Sequence, residues 1–183
     1  HKEYRRQRQM CIRDRFMSNH DLIEKAKAKE REKDYEAAIK LYRKAFEKDP
    51  KNFFLQIELG NLYALTNKFE EAAGCFRRAN RRFPDNDAIK EGLGFCLCQT
   101  GNDFHNKRNY SIAQAAFEEA TFFCPKNPLY LFNLGNAYYA QNNFKKALHY
   151  FKKSLDLNAD SDTYHNLALS LIHISEPTRR RGI

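Results

Sequence analysis

Residues 56–84 read QIELGNLYALTNKFEEAAGCFRRANRRFP, and residues 131–159 read LFNLGNAYYAQNNFKKALHYFKKSLDLNA. Laid over one another, they share Leu59-Gly60-Asn61 with Leu134-Gly135-Asn136, Tyr63 with Tyr138, Phe69 with Phe144, Ala72 with Ala147, and Phe76 with Phe151. The beat extends outward. Gly101-Asn102 repeats the opening, and Ala38-x3-Tyr42 and Ala113-x3-Phe117 repeat the middle. Pro50, Pro84, Pro125 and Ala159 close the units at spacings of 34, 41 and 34 residues. A fixed period of this length marks a solenoid, in which each unit buries its apolar face only against its neighbours. Such a chain offers a groove rather than a catalytic pocket.

Within each unit, apolar residues recur at intervals of three and four, the helical period, with hardly any strand-like alternation. Asp49-Pro50-Lys51-Asn52, Phe83-Pro84-Asp85-Asn86, Cys124-Pro125-Lys126-Asn127 and Asn158-Ala159-Asp160-Ser161 combine a helix stop with a new cap. Weaker breaks fall midway at Thr66-Asn67-Lys68, 106–109 and Gln141-Asn142-Asn143. Each unit is therefore expected to be two helices of about a dozen residues, too short to stand alone in water. The fold class is all-α, with units at 19–52 (a polar, capping-like start), 53–86, 87–127, 128–160 and a fifth begun at 161–168. The third unit holds seven extra residues, Asp87 to Leu93, read as two extra turns on a first helix that would run over about 87–106. Seven residues make nearly two turns, so the apolar face shifts by only about 20°.

At these positions the chain resembles the tetratricopeptide repeat family. The second unit carries Gln56-x2-Leu59-Gly60-x2-Tyr63, then Phe69, Ala72, Phe76, Ala79 and Pro84. The fourth carries Leu131-x2-Leu134-Gly135-x2-Tyr138, then Phe144, Ala147, Phe151, Ser154 and Ala159. The family's early Trp is missing from every unit, and Ala159 stands where a closing Pro is usual. The resemblance covers about 19–168 and implies a right-handed α-solenoid of tandem helix-turn-helix repeats. Gly60, Gly135, Ala72 and Ala147 let backbones approach closely, while Tyr42, Phe76, Phe117 and Phe151 are expected to fill space towards the next unit.

The two ends read differently. Gln9-Met10-Cys11-Ile12-Arg13-Asp14-Arg15 can be encoded by cag atg tgt ata aga gac ag, whose reverse complement encodes Leu-Ser-Leu-Ile-His-Ile, the string at 169–174. Residues 1–15 and 169–183 are accordingly read as translated sequencing-adapter sequence around a gene fragment, the alternative being a natural basic arm and tail. Leu169, Leu171 and Ile172 would continue a helix by coincidence of spacing. The ends contribute +4 and +2 of the formal +9 charge, leaving +3 for 16–168. An ordinary charge of this size does not argue for nucleic acid. Met17 reads as a native start, with Ser18 or Asn19 as the first cap.

No apolar run reaches membrane-span length, and the absence of a leader-like stretch after Met17 suggests a cytosolic protein. Cys75, Cys96, Cys98 and Cys124 are scattered and are expected to be reduced, half-buried thiols. His20, His105, His149 and His165 fall in different units without ligand-spaced partners, so no metal site and no cofactor are expected. No nucleophile, base and orienter can be assembled, and the chain is read as not an enzyme. Glu70-Glu71 and Glu118-Glu119 read as solvated helix faces. The run Arg77, Arg78, Arg81 and Arg82 reads the same way.

The resemblance places Asn61, Asn102 and Asn136 on the concave face, with Asn133 and Asn166 nearby. An Asn amide offers donor and acceptor together, so it can hold a peptide backbone without reading its sequence; alternatively these amides bond only their neighbours. Phe54, Ile57, Phe95, Cys98, Phe132 and Tyr139 would add apolar pockets, with core packing favoured for Phe95. Ile57 and Phe132 stand where a carboxylate-gripping relative has cations, which argues against a carboxylate clamp. The expected function is a scaffold or adaptor binding a partner peptide or helix in the concave groove. The alternatives are a regulatory or substrate-docking arm of a larger enzyme and, more weakly, a nucleic-acid-binding repeat.

Overall fold

A computed structural model describes residues 17–175, so the readings of 1–15 and of 176–183 lie outside the described residues. Every regular element among those described is a helix, and the chain divides near residue 82 into two compact bodies.

The first body holds α1 (Asn19–Arg31), α2 (Tyr35–Lys48), α3 (Phe53–Leu65) and α4 (Phe69–Arg82). Ser18 caps α1 in a capping box: its hydroxyl accepts from the Asp21 N–H while the Asp21 carboxylate accepts from the Ser18 N–H. α1 pairs with α2 and α3 with α4, and α2 also packs on α3. Their shared core contains Leu22, Ala26, Ile39, Tyr42, Leu55, Leu59, Leu62 and Cys75. Burial, and then a hydrogen bond to Glu30, push the Tyr42 phenol up.

The second body holds α5 (Asp87–Asn106), α6 (Tyr110–Phe123), α7 (Pro128–Ala140), α8 (Phe144–Leu157) and α9 (Ser161–Ser175). α5 has 20 residues against 13 to 15 in its neighbours, and α9 passes through position 169 without a break. α5 pairs with α6, α7 with α8, and α8 with α9; α7 also touches α5, α6 and α9. The first helices α5, α7 and α9 therefore form one layer of this body, and the second helices α6 and α8 form the other.

Two local rules shape every hairpin. One is small-on-large packing. A β-carbon added to Gly101 would lie 2.5 Å from the Phe117 ring, and one added to Gly135 would lie 2.5 Å from Phe151. At Gly60 the corresponding approach to Phe76 is 3.0 Å. The rings expected to face the next unit thus lie against the glycine of their own hairpin. The first hairpin has Ala26 and Tyr42 at these positions, both buried.

The other rule is the turn. Lys33, Asn67, Arg108 and Asn142 all have φ near +60°. At Asn67, the Asn67 N–H bonds Ala64 C=O and the Lys68 N–H bonds Tyr63 C=O. The same pair of bonds recurs at the other three turns. This is the Schellman ending, which satisfies the last carbonyls of a helix by putting one residue in the left-handed region.

In the fourth unit Ser154 takes the place of the alanines at 45, 79 and 120. It is buried, and its hydroxyl donates to the Pro128 carbonyl at 2.8 Å, so the polar atom carries no desolvation penalty.

Candidate binding surfaces

The asparagines singled out by their spacing form pairs in the second body. Asn133 Nδ2 on α7 donates to Asn102 Oδ1 on α5 at 3.3 Å, and Asn166 Nδ2 on α9 donates to Asn136 Oδ1 on α7 at 2.9 Å. All four are half-buried. The helix layer that carries them is thus tied laterally from unit to unit. Each accepting amide has spent one acceptor site on its neighbour and keeps its Nδ2 donors. What it can offer a ligand is chiefly donation, a narrower capacity than two-point capture of a peptide unit.

Asn133 Nδ2 also reaches Cys98 Sγ at 3.3 Å. Cys98 is buried, and burial pushes its thiol pKa up, so it lies beneath the surface instead of lining it as expected. Phe95 departs in the opposite direction. Expected in the core, it is 44% exposed on α5, at the repeat position where Phe54 and Leu129 are exposed too. Phe132 is half-buried with its ring 5.9 Å from that of Phe151. Tyr139, also half-buried, meets Phe144 edge-on at 5.3 Å.

In the first body Asn61 and Phe54 are exposed on α3, Phe54 by 72%, while Ile57 is half-buried. Arg78, Arg81 and Arg82 are exposed at the end of α4, and Arg78 donates to Cys75 Sγ at 3.5 Å.

A network between α6 and α7, joining the two layers, was missed by the sequence reading. Tyr138 donates to Glu118 Oε1 at 2.5 Å, and Gln114 Nε2 donates to the same oxygen at 3.0 Å. Gln141 Nε2 reaches Gln114 Oε1 at 2.8 Å. Tyr138 and Tyr150 stack with 5.5 Å between centroids, and Lys146 and Lys153 lie over the two rings. Burial first, and then the Glu118 carboxylate, raise the Tyr138 pKa. Glu118 is therefore an anchored acceptor instead of a purely solvated charge. The sequence cue was Gln114 four residues before Glu118 on one helix face.

Two concavities open on the second body. A cleft of about 720 Å³ lies between the start of α5 and the α6–α7 turn, lined by Lys90, Glu91, Phe95, Cys124, Pro125 and Tyr130. Another, of about 560 Å³, lies between the ends of α6 and α8. Among the described residues, no three His, Cys, Asp or Glu side chains converge as a metal site would need, and no helix is long and apolar enough to cross a membrane.

Short helical hairpins with a glycine-on-phenylalanine lock and a left-handed turn, repeated at a fixed period, define an all-α helical-repeat protein. Residues 31–85 and 128–161 match the tetratricopeptide repeat. Among curated proteins, the chain is similar to anaphase-promoting complex subunit CDC16 of Saccharomyces cerevisiae, with 29% identity over 134 residues. It is also similar to anaphase-promoting complex subunit 6 of Arabidopsis thaliana, with 25% identity over 150 residues. These matches cover 73% and 81% of the chain but only 15% and 26% of the two relatives, so the chain spans a small part of their length. Among solved structures it shares its fold with YrrB, a TPR protein with an unusual peptide-binding site. That likeness has a TM-score of 0.56 at 19% identity and covers 87% of this chain and 78% of the other.

Proposed function

We propose that this chain is a protein-interaction scaffold with no chemistry of its own, which holds a peptide segment or helix of a partner against its first-helix layer. The observation that carries this reading is the pair of bridged amides at Asn102 and Asn136. The bridges fix both side chains in position, so the Nδ2 donors are preorganised for carbonyl oxygens of an extended backbone, with little further entropy cost on binding. Phe132 and Tyr139 border these amides as apolar contacts. Cationic side chains are missing at the positions where a carboxylate clamp would need them, so an internal segment of the partner fits better than a free C-terminus. The curated relatives are subunits of a multiprotein complex, and YrrB is named for a peptide-binding site, both in keeping with a scaffold.

Selection of a random peptide display library on the chain, followed by mapping of amide chemical-shift changes, tests this reading. The expected outcome is a shift pattern centred on α5 and α7 around Asn102 and Asn136. Shifts confined to the helix ends remote from those residues would contradict it.

A second reading follows from length. Because the chain corresponds to only a fraction of each curated relative, the same surface would serve equally as a docking arm of a larger, catalytic polypeptide. A longer reading frame distinguishes the two.

A further inference from the structure

The opposite layer of the second body carries a surface that the asparagine reading does not use. Phe122, near the end of α6, is 77% exposed, and Leu157, at the end of α8, is 46% exposed. Between them lies the 560 Å³ cleft, floored by Leu131 of α7 and walled by Pro125 and Tyr150. Two phenylalanine- and leucine-sized side chains standing in water at the lip of a cleft of this size are an unfilled apolar contact.

Its electrostatics are one-sided. Glu118 and Asp156 line the cleft, while its one lysine, Lys153, lies over the Tyr150 ring at 5.8 Å. Both α6 and α8 end at this place, so the partial negative charges of two helix C-termini converge there. In the second helices of the first body that charge is met by Lys48 in the last turn of α2 and by Arg81 and Arg82 in the last turn of α4. In α6 and α8 the last turn holds no basic residue.

We propose that this cleft docks a cationic amphipathic segment of a partner protein. An apolar side chain of that segment packs on Phe122, Leu131 and Leu157, and a Lys or Arg beside it reaches Asp156 and the carbonyl ends of α6 and α8. The site is independent of the asparagine surface and stands or falls separately from it.

The test uses the full chain and two labelled helical peptides, one of Leu and Lys and one of Leu and Glu, with the same apolar pattern, read by fluorescence anisotropy. The chain is formally +9, so unspecific attraction would favour the Glu peptide. The expected result is preference for the Lys peptide, weakening with salt, an affinity loss of about tenfold in Phe122→Asp, and a smaller loss in Asp156→Lys. Both substituted residues are exposed, so circular dichroism should not change. Asn102→Ala with Asn136→Ala should leave this binding intact. Equal binding of both peptides, full affinity in Phe122→Asp and Asp156→Lys alike, or loss in the asparagine variant would overturn the proposal.

Discussion

The ring of Phe151 lies where a β-carbon on Gly135 would sit, with Cε1 only 2.5 Å from that position. The same relationship holds between Phe117 and Gly101. Gly135→Ala or Gly101→Ala should therefore push a fully buried ring against close-packed neighbours and lower stability by roughly 1–3 kcal/mol. Gly74, on α4, has nothing within 4 Å of an added β-carbon. Gly74→Ala should instead stabilise by roughly 0.5–1 kcal/mol, because it only removes the entropic cost of a helical glycine. Urea unfolding of the three variants checks both signs.

Two of the four left-handed turn residues are Lys33 and Arg108, whose side chains are poorly suited to φ near +60°. Relief of the left-handed strain, roughly 1–2 kcal/mol, exceeds the added chain entropy of glycine, about 0.5–1 kcal/mol. Arg108→Gly should thus stabilise modestly and Arg108→Val should destabilise. Asn142→Gly should gain less, since Asn tolerates this region. Thermal melts of the set provide the comparison.

Tyr42, Tyr130 and Tyr138 all have phenol pKa values raised above the ordinary value, each mainly by burial. A folded-state pKa above the unfolded one favours the protonated native form. The stability this gives is fully present below about pH 10, the unfolded phenol pKa, and is lost as pH rises from there through the folded values. Denaturation midpoints should fall steadily above that pH, and tyrosinate absorbance of these three should appear together with loss of helix. Tyrosinate formation from all three in a chain that stays helical would contradict the burial assignment.

Cys75, Cys96 and Cys98 are buried and Cys124 is half-buried. Burial raises the pKa of Cys75, Cys98 and Cys124, which keeps them as unreactive thiols near neutral pH. Among these four, iodoacetamide should label Cys124 first, and the other three only under denaturant, as peptide mass mapping would show.

What could be read from the sequence was what recurs. Glycine, alanine and phenylalanine keep their places because close helix approach admits few other residue types, so the hairpins follow from the spacing. The turn residues were not legible in the same way. Lys33 and Arg108 are left-handed because the helix ends there, and residue type does not announce it. That these amides bond their neighbours was the alternative the sequence offered, but the pairs themselves escaped because each joins different units at separations of 31 and 30 residues, so no local pattern marks the partner. Phe95 was expected inside because it stands in an apolar stretch with Cys96, Leu97 and Cys98; it holds the repeat position six residues before the packing glycine, which Phe54 and Leu129 also leave exposed. Phe122 and Leu157 went unnoticed because an apolar residue at a helix end reads as core until its exposure is known.

The most direct measurement of the central claim is an anisotropy titration of a display-selected peptide against the chain and its Asn102→Ala, Asn136→Ala double variant. The account predicts weaker binding by the variant, with a circular dichroism spectrum identical to that of the parent. Unchanged affinity in a folded double variant would contradict it.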